Sequence, residues 1–283
     1  RAKRITAYLN LVNRIVQKQF NTLQQEAFGK GNEIDQYFEM LPTDSALRKS
    51  YEDLFQTDCP TKRSLLEREL RSKMQPGSID VNIMTKLDKS NPSPTGEILD
   101  ENSDAVAALR GYAQSNLSQS SIVFSAGMNP RLFNYLDQFE DFHTFKKKVI
   151  VKVTDFRSAL IQGKYLAKKG IWVSEFRIES GLNCGGHAFA TDGYLLGPIL
   201  EEFKTKKQEL IDTVFAIYQK GEQAPEIKIS VQGGIGTHEE DQLLHDYYAV
   251  DSTGWGSPFL LVPEATTVDE ETMRLLAESK KED

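Results

Sequence analysis

Cysteine is almost missing from this chain: Cys59 and Cys184 are the only two among 283 residues, and their sequence surroundings are unlike. That excludes a disulfide framework and leaves no cysteine-based zinc motif, so no metal site is expected. Long apolar runs are missing too. No stretch approaches the roughly 20 residues needed to cross a bilayer, and the N-terminus has no charged-then-apolar-then-small signal pattern. The expectation is a cytoplasmic protein that does not enter a membrane. A basic stripe is likewise lacking, because 34 Lys and Arg face 41 Asp and Glu, a net charge of −7 with neither sign gathered into a long block. Nucleic acid is therefore not an expected partner. The longest basic cluster, Lys146 to Lys148, stands directly before an apolar run and is expected at a solvated strand edge. Internal repeats are absent.

What is present suffices for a core. A hydrophobic fraction of 39% with 10% aromatics over this length fits one large barrel or two smaller domains. Residues 1–76 read as helices. From Ile5 to Leu23 apolar residues recur every three to four positions; further helical stretches run through Ile34 to Leu41 and Leu47 to Phe55, and a charged helix runs from about Lys62 to Met74, with Thr61 as its N-cap. After Gly77 the period changes. Strand-like runs at Ile79 to Thr85, Ser121 to Ser125, Val149 to Thr154, Ile171 to Ile178, Ile227 to Val231 and Asp251 to Gly254 alternate with helical ones. Such βα alternation, with right-handed crossovers, predicts a parallel sheet, open or closed into a barrel, over residues 77–265. Residues 266–283 form a C-terminal helix and tail. The segment Lys89 to Ser103 has no periodicity and reads as a long mobile loop, either a lid or simply disordered.

Two runs carry chemistry. Glu179-Ser-Gly-Leu-Asn-Cys-Gly-Gly-His-Ala-Phe189 follows a strand, at the end where active sites of parallel α/β folds collect. Its glycines, Gly181, Gly185 and Gly186, let the backbone approach a ligand closely. His187 beside them, of the residue type whose charge changes near neutrality, is either the candidate base or a loop histidine bonded to a nearby carbonyl. Cys184, in the same loop, is either a buried thiol or a nucleophile. The second run, Val231-Gln-Gly-Gly-Ile-Gly-Thr237, precedes a helix, and Gly254-Trp-Gly-Ser-Pro258 follows the next strand. Backbone amides from glycine corners beside a helix N-terminus form a phosphate cradle, and barrel enzymes hold phosphate after their last two strands. Glu179, Asp155 and Arg177 lie near strand ends, as substrate ligands or as solvent contacts. His238 and His245 are expected at the surface.

The succession Cys184-Gly-Gly-His187, then Gly233-Gly-Ile235, then Gly256-Ser257, each after a strand, resembles the nitronate monooxygenase family. These are the 2-nitropropane dioxygenase-like flavoproteins, which include the enoyl-reductase components of polyunsaturated fatty acid and polyketide synthases. Ile79-Asp-Val-Asn82 is similar to the family's Gly-Val-Asn strand, and the likeness spans residues 78 to 262. It implies an FMN-dependent (β/α)8 TIM barrel with His187 as base. Gly185, Gly186, Gly233, Gly234, Gly256 and Ser257 would line the cofactor, Asn82 and Lys152 would face its isoalloxazine, and Asn183 and Cys184 would meet substrate. Asn183-Cys184 departs from the family's Glu-Ala, which implies a different pocket for the small-molecule substrate, a carbon acid or an enoyl thioester. The Asn82 strand is third in the family, and residues 1–76 hold no counterpart of the two before it. Because the chain opens on Arg1 without an initiator Met, the expectation is a portion of a longer protein, its barrel completed by another segment or subunit. Two other readings stand beside this one. A flavin-free barrel could use the same corners for a phosphorylated metabolite, or a non-enzymatic protein could dock a partner through its helical first quarter around Val12 and Ile15.

Overall fold

The computed structural model describes residues 1–83, 88–93, 95–125, 127–179, 196–256, 259 and 269–278. The chain separates into two compact units, one of Lys3–Ile79 with Gln114–Leu117 and the other of Asp80–Ala113 and Ser118–Asp283 with Arg1–Ala2. Among the described residues no helix is long and apolar enough to cross a membrane.

The first unit is helical: α1 (Ala2–Gln25), α2 (Glu33–Glu39), α3 (Ala46–Gln56) and α4 (Pro60–Lys73). Local chemistry sets the boundaries. Asn32 and Ser45 accept backbone N–H groups of Asp35 and Arg48 and so cap α2 and α3. The N-terminus of α4 departs from expectation. Thr61 lies inside the helix, Cys59 is the cap residue without a side-chain bond, and Pro60 starts the helix because its fixed φ suits the first turn. The core gathers Ile34, Phe38, Tyr51, Leu54, Leu70 and Met74. Phe38 and Tyr51 stack with centroids 4.4 Å apart and planes 5° from parallel. The one acid in this core, Asp35, accepts the Tyr51 hydroxyl at 2.5 Å, the Gly31 N–H at 2.6 Å and the Lys30 ammonium at 3.1 Å.

The second unit runs β1 (Ile79–Ile83), β2 (Ser90–Pro92), β3 (Ile98–Ser103), α5 (Asp104–Ala113), β4 (Ser120–Phe124), α6 (Pro130–Leu136), α7 (Glu140–His143), β5 (Lys147–Val153), α8 (Phe156–Ala167), β6 (Val173–Ile178), α9 (Leu196–Tyr218), β7 (Lys228–Gln232), α10 (His238–Asp246), β8 (Ser252–Gly254) and α11 (Glu270–Glu278). Residues 89–103, expected as a mobile loop, instead contain an antiparallel hairpin of β2 and β3. Gly96 turns it at φ +84°, and the Asn91 side chain ties its base by donating to Asn102 O at 3.1 Å and to Asp104 Oδ1 at 2.7 Å. Short strands held by side-chain bonds carry no alternation, which is why the pattern is invisible in the sequence.

The six remaining strands form one sheet in the order β1-β4-β5-β6-β7-β8. Each new strand joins on the same side of its predecessor, with no reversal of the kind that marks a doubly wound sheet. Right-handed crossovers then place the intervening helices on one face. Phe176 shows that face: a Cβ added to Gly163 of α8 would stand 3.1 Å from its ring and 2.9 Å from Val214 of α9. The opposite face is concave. β1 and β6 are three steps apart, about 14 Å in a flat sheet, yet Arg177 Nη2 lies 3.6 Å from Asp80 Oδ2 across the hollow. Among the described residues the unit is therefore a curled six-stranded parallel half-barrel, short of a complete TIM barrel.

Lys147 corrects a further expectation. Lys146 and Lys148 are exposed as a strand edge would have them, but Lys147 is buried. Its ammonium donates to the carbonyls of Tyr112, at 3.2 Å, and Ala113, and lies 3.4 Å from Asp141 Oδ2. It closes the C-terminus of α5, where carbonyls are unpaired and the helix dipole favours a cation. Burial pushes its pKa below the ordinary lysine value, against the pull of Asp141. Lys147→Met keeps the stem and removes the charge, so it is expected to lower the stability of this unit by about 2 kcal/mol. Urea unfolding followed at the Trp172 fluorescence checks this, and an unchanged midpoint would refute the capping role.

Candidate functional site at the half-barrel rim

Register fixes which side chains share the concave face. Lys152, Arg177, Ser230 and Ser252 are successive partners across β5, β6, β7 and β8. Partners in a parallel ladder project to the same side, and Phe176 faces the helices, so Glu175, Arg177 and Glu179 line the hollow. This face is unusually polar for a sheet interior. Arg177 donates from Nε and Nη2 to Glu175 Oε1, at 2.9 Å each, and reaches Asp80. Glu175 Oε1 also accepts the Ser230 hydroxyl. On the rim side of that pair, Lys152 Nζ stands 3.6 Å from Glu179 Oε2. The Glu179 N–H donates to Val153 O at 2.9 Å, which carries the β5–β6 ladder past Ile178 and fixes the Glu179 backbone. Asn82 lies on the same alternation as Asp80 and is exposed.

The glycine corners leave neighbouring strands. Gln232, the last residue of β7, pairs with Gly254, the last of β8. A Cβ on Gly254 would stand 2.8 Å from that of Gln232, so the close pairing needs glycine there. Beyond it, Gly233 and Gly234 turn at φ +88° and +73°. Gly256 is exposed, with nothing within 4 Å of where its Cβ would be. The second corner is tied to α10: the Trp255 indole N–H donates to Thr253 Oγ1 at 3.1 Å, and the Thr253 hydroxyl donates to Asp241 Oδ1 at 2.6 Å.

One part of the expected phosphate cradle is already occupied. Thr237 and Glu240 form a capping box in which Glu240 Oε2 accepts the N–H groups of Gly236 at 2.8 Å and Thr237 at 3.0 Å. Those two bonds hold the Glu240 carboxyl below its usual pKa. With Glu239 and Asp241 in the same turn, the N-terminus of α10 is anionic. The amides left for a ligand are those of the glycine turn before it, not those of the helix end.

Of the residues singled out from the sequence, Asn82 and Lys152 fall on the concave face, and Gly233, Gly234 and Gly256 fall at the rim of adjacent strands. His187, Asn183, Cys184, Gly185, Gly186 and Ser257 lie outside the described residues. Asp155 is the N-cap of α8, accepting the Ser158 N–H at 2.7 Å, and so serves the fold. His238 and His245 are exposed. The sequence reading missed the roles of Asp80, Glu175 and Ser230. The alternation Glu175-Phe-Arg-Ile-Glu179 was the available signal, since it puts three charges on one face of a strand. Among the described residues no group of His, Cys, Asp and Glu is placed to hold a metal ion. Compared with protein-family models, with curated proteins and with solved structures, the chain matches none of them.

Proposed function

We propose that this chain carries the flavin site of an FMN-dependent oxidoreductase of the nitronate monooxygenase or enoyl-reductase type. One observation carries the reading: two glycine corners leave hydrogen-bonded neighbouring strands at the C-terminal rim of a curled parallel sheet. A phosphate resting there would take backbone amides from Gly233 and Gly234, with Gly256 leaving open space for close approach. The residues present fit FMN in a second respect, since Lys152 and Asn82 line the hollow beneath the rim. When bound, FMN would supply an acceptor for the electron pair released from a carbon acid, or a donor to an enoyl thioester. The chain's own work would be to hold the phosphate, to present Lys152 to the ring, and to take the substrate proton on His187. On this reading a further segment or subunit brings the strands that complete the barrel.

Titration of FMN into the purified chain tests this reading. Bound flavin is expected to shift its absorbance band and quench its fluorescence, more tightly for FMN than for riboflavin because of the phosphate. His187→Ala is expected to keep that binding and to abolish oxidation of a small nitroalkane. Stabilisation by sugar phosphates without any flavin spectral change would favour a flavin-free barrel enzyme and overturn the proposal.

A further inference from the structure

Two cations stand side by side on the concave face, because Lys152 and Arg177 are register partners on β5 and β6. Like charges in that relation repel. Relief comes from β6 itself, where Glu175, Arg177 and Glu179 follow one another on the same face. Arg177 is held by Glu175 and Asp80, on the side away from the rim. Lys152 is paired on the rim side, with Glu179 at 3.6 Å, and both side chains are largely covered, 11% and 20% exposed. The Glu179 backbone is fixed by its bond to Val153 O. The carboxylate thus leaves a fixed backbone position and is largely covered beside the lysine.

We infer that Glu179 is the positioning residue of Lys152: it holds the ammonium at the rim and offsets its charge, so that the ligand ring meets a balanced pair in place of a bare cation. The inference rests on the flavin reading. Its physical basis is that the field of an ion pair falls away faster with distance than the field of a single charge, while partial burial keeps solvent from screening it. A flavin ring gains negative charge when it accepts electrons. Lys152 favours that change, and Glu179 restrains it.

Sulfite reads this directly. Its lone pair forms a bond to flavin N5, the ring takes up the two electrons, and the resulting negative charge is stabilised by a nearby cation. In the FMN-loaded protein, Glu179→Gln is expected to tighten sulfite binding about tenfold and Lys152→Met to weaken it about tenfold, as the loss of one charge from a partly buried site beside the ring would produce. The double variant, which removes both charges, is expected to return close to the wild-type constant. An unchanged sulfite constant in Glu179→Gln would overturn the inference while leaving the flavin reading intact. Failure of the wild-type chain to bind FMN would instead sink the flavin reading. The pairing itself is then decided without flavin: acetylation of Lys152 by an activated ester, followed by mass spectrometry, is expected to run about threefold faster in Glu179→Gln, because the carboxylate engages the Nζ that the ester must reach. An equal rate would overturn the positioning role.

Discussion

Asp35→Ala is expected to lower the stability of the helical unit by about 3–5 kcal/mol, the range for breaking a buried, hydrogen-bonded charge network. Asp35 is 3% exposed. Its removal leaves the Tyr51 hydroxyl, itself in the stacked core, and the Gly31 N–H without their acceptor, and it takes from Lys30 its partner at 3.1 Å. Unsatisfied buried donors account for most of the cost. Tyr51→Phe removes one donor and keeps the ring stacked on Phe38, so it is expected to lose less, about 1–2 kcal/mol. Chemical unfolding followed by far-ultraviolet circular dichroism measures both. Equal losses for the two variants would mean that the carboxylate matters only through Tyr51.

The same pair sets a pH dependence whose sign follows from its surroundings. Burial alone would raise the Asp35 carboxyl, but the hydrogen bonds from Tyr51, Gly31 and Lys30 outweigh it and hold the pKa below the ordinary value of 3.8. A depressed carboxyl contributes stability above its unfolded pKa and loses it as pH falls through the folded one. Tyr51 is moved the other way, burial first and Asp35 second pushing its hydroxyl above the usual 10.0. Its contribution is complete below that value and is lost as pH climbs past it. The helical unit should therefore hold a plateau between the two unfolded values and weaken on both sides.

The parallel strands were legible because each is a short apolar run between turn signals. The run at Val149 to Thr154 appears as Lys147–Val153, and the run at Ile227 to Val231 as Lys228–Gln232. Alternation with helices gave the parallel sense. The curl did not follow from that pattern, since a flat doubly wound sheet has the same βα rhythm; it rests on strand order and on the Arg177–Asp80 contact across the hollow. What stayed hidden is chemistry between distant residues. Lys147 looks like its neighbours in a lysine run, and only the end of α5, 34 residues earlier, makes it a buried cap. Glu179 was visible near a strand end and Lys152 only through the family resemblance, and their pairing depends on the register of β5 against β6. The α10 capping box was legible in principle as Thr237-x-x-Glu240 and was read instead as an open helix end. A glycine-rich turn draws attention to the ligand it might hold before the carboxylate that already uses its amides.

Gly234→Val is expected to cost the proposed flavin site about a hundredfold in FMN affinity. Gly234 sits at φ +73°, directly after Gly233 at +88°, and a β-branched residue is a severe outlier there. Forcing it out of that region rotates the peptide groups whose amides the phosphate would use, while strands β7 and β8 end before it and keep their pairing. Gly234→Asn is expected to keep most of the affinity, because asparagine tolerates the left-handed region. Gly256→Ala separates backbone shape from ligand contact. Its Cβ would meet nothing within 4 Å and its φ is not positive, so the fold should be indifferent to it. A loss of FMN affinity in Gly256→Ala at unchanged thermal stability would therefore mean that the ligand itself fills the space beside this corner. Full affinity in both Gly234→Val and Gly256→Ala would mean that neither corner touches the phosphate, and the reading of this rim as a flavin site would fall with it.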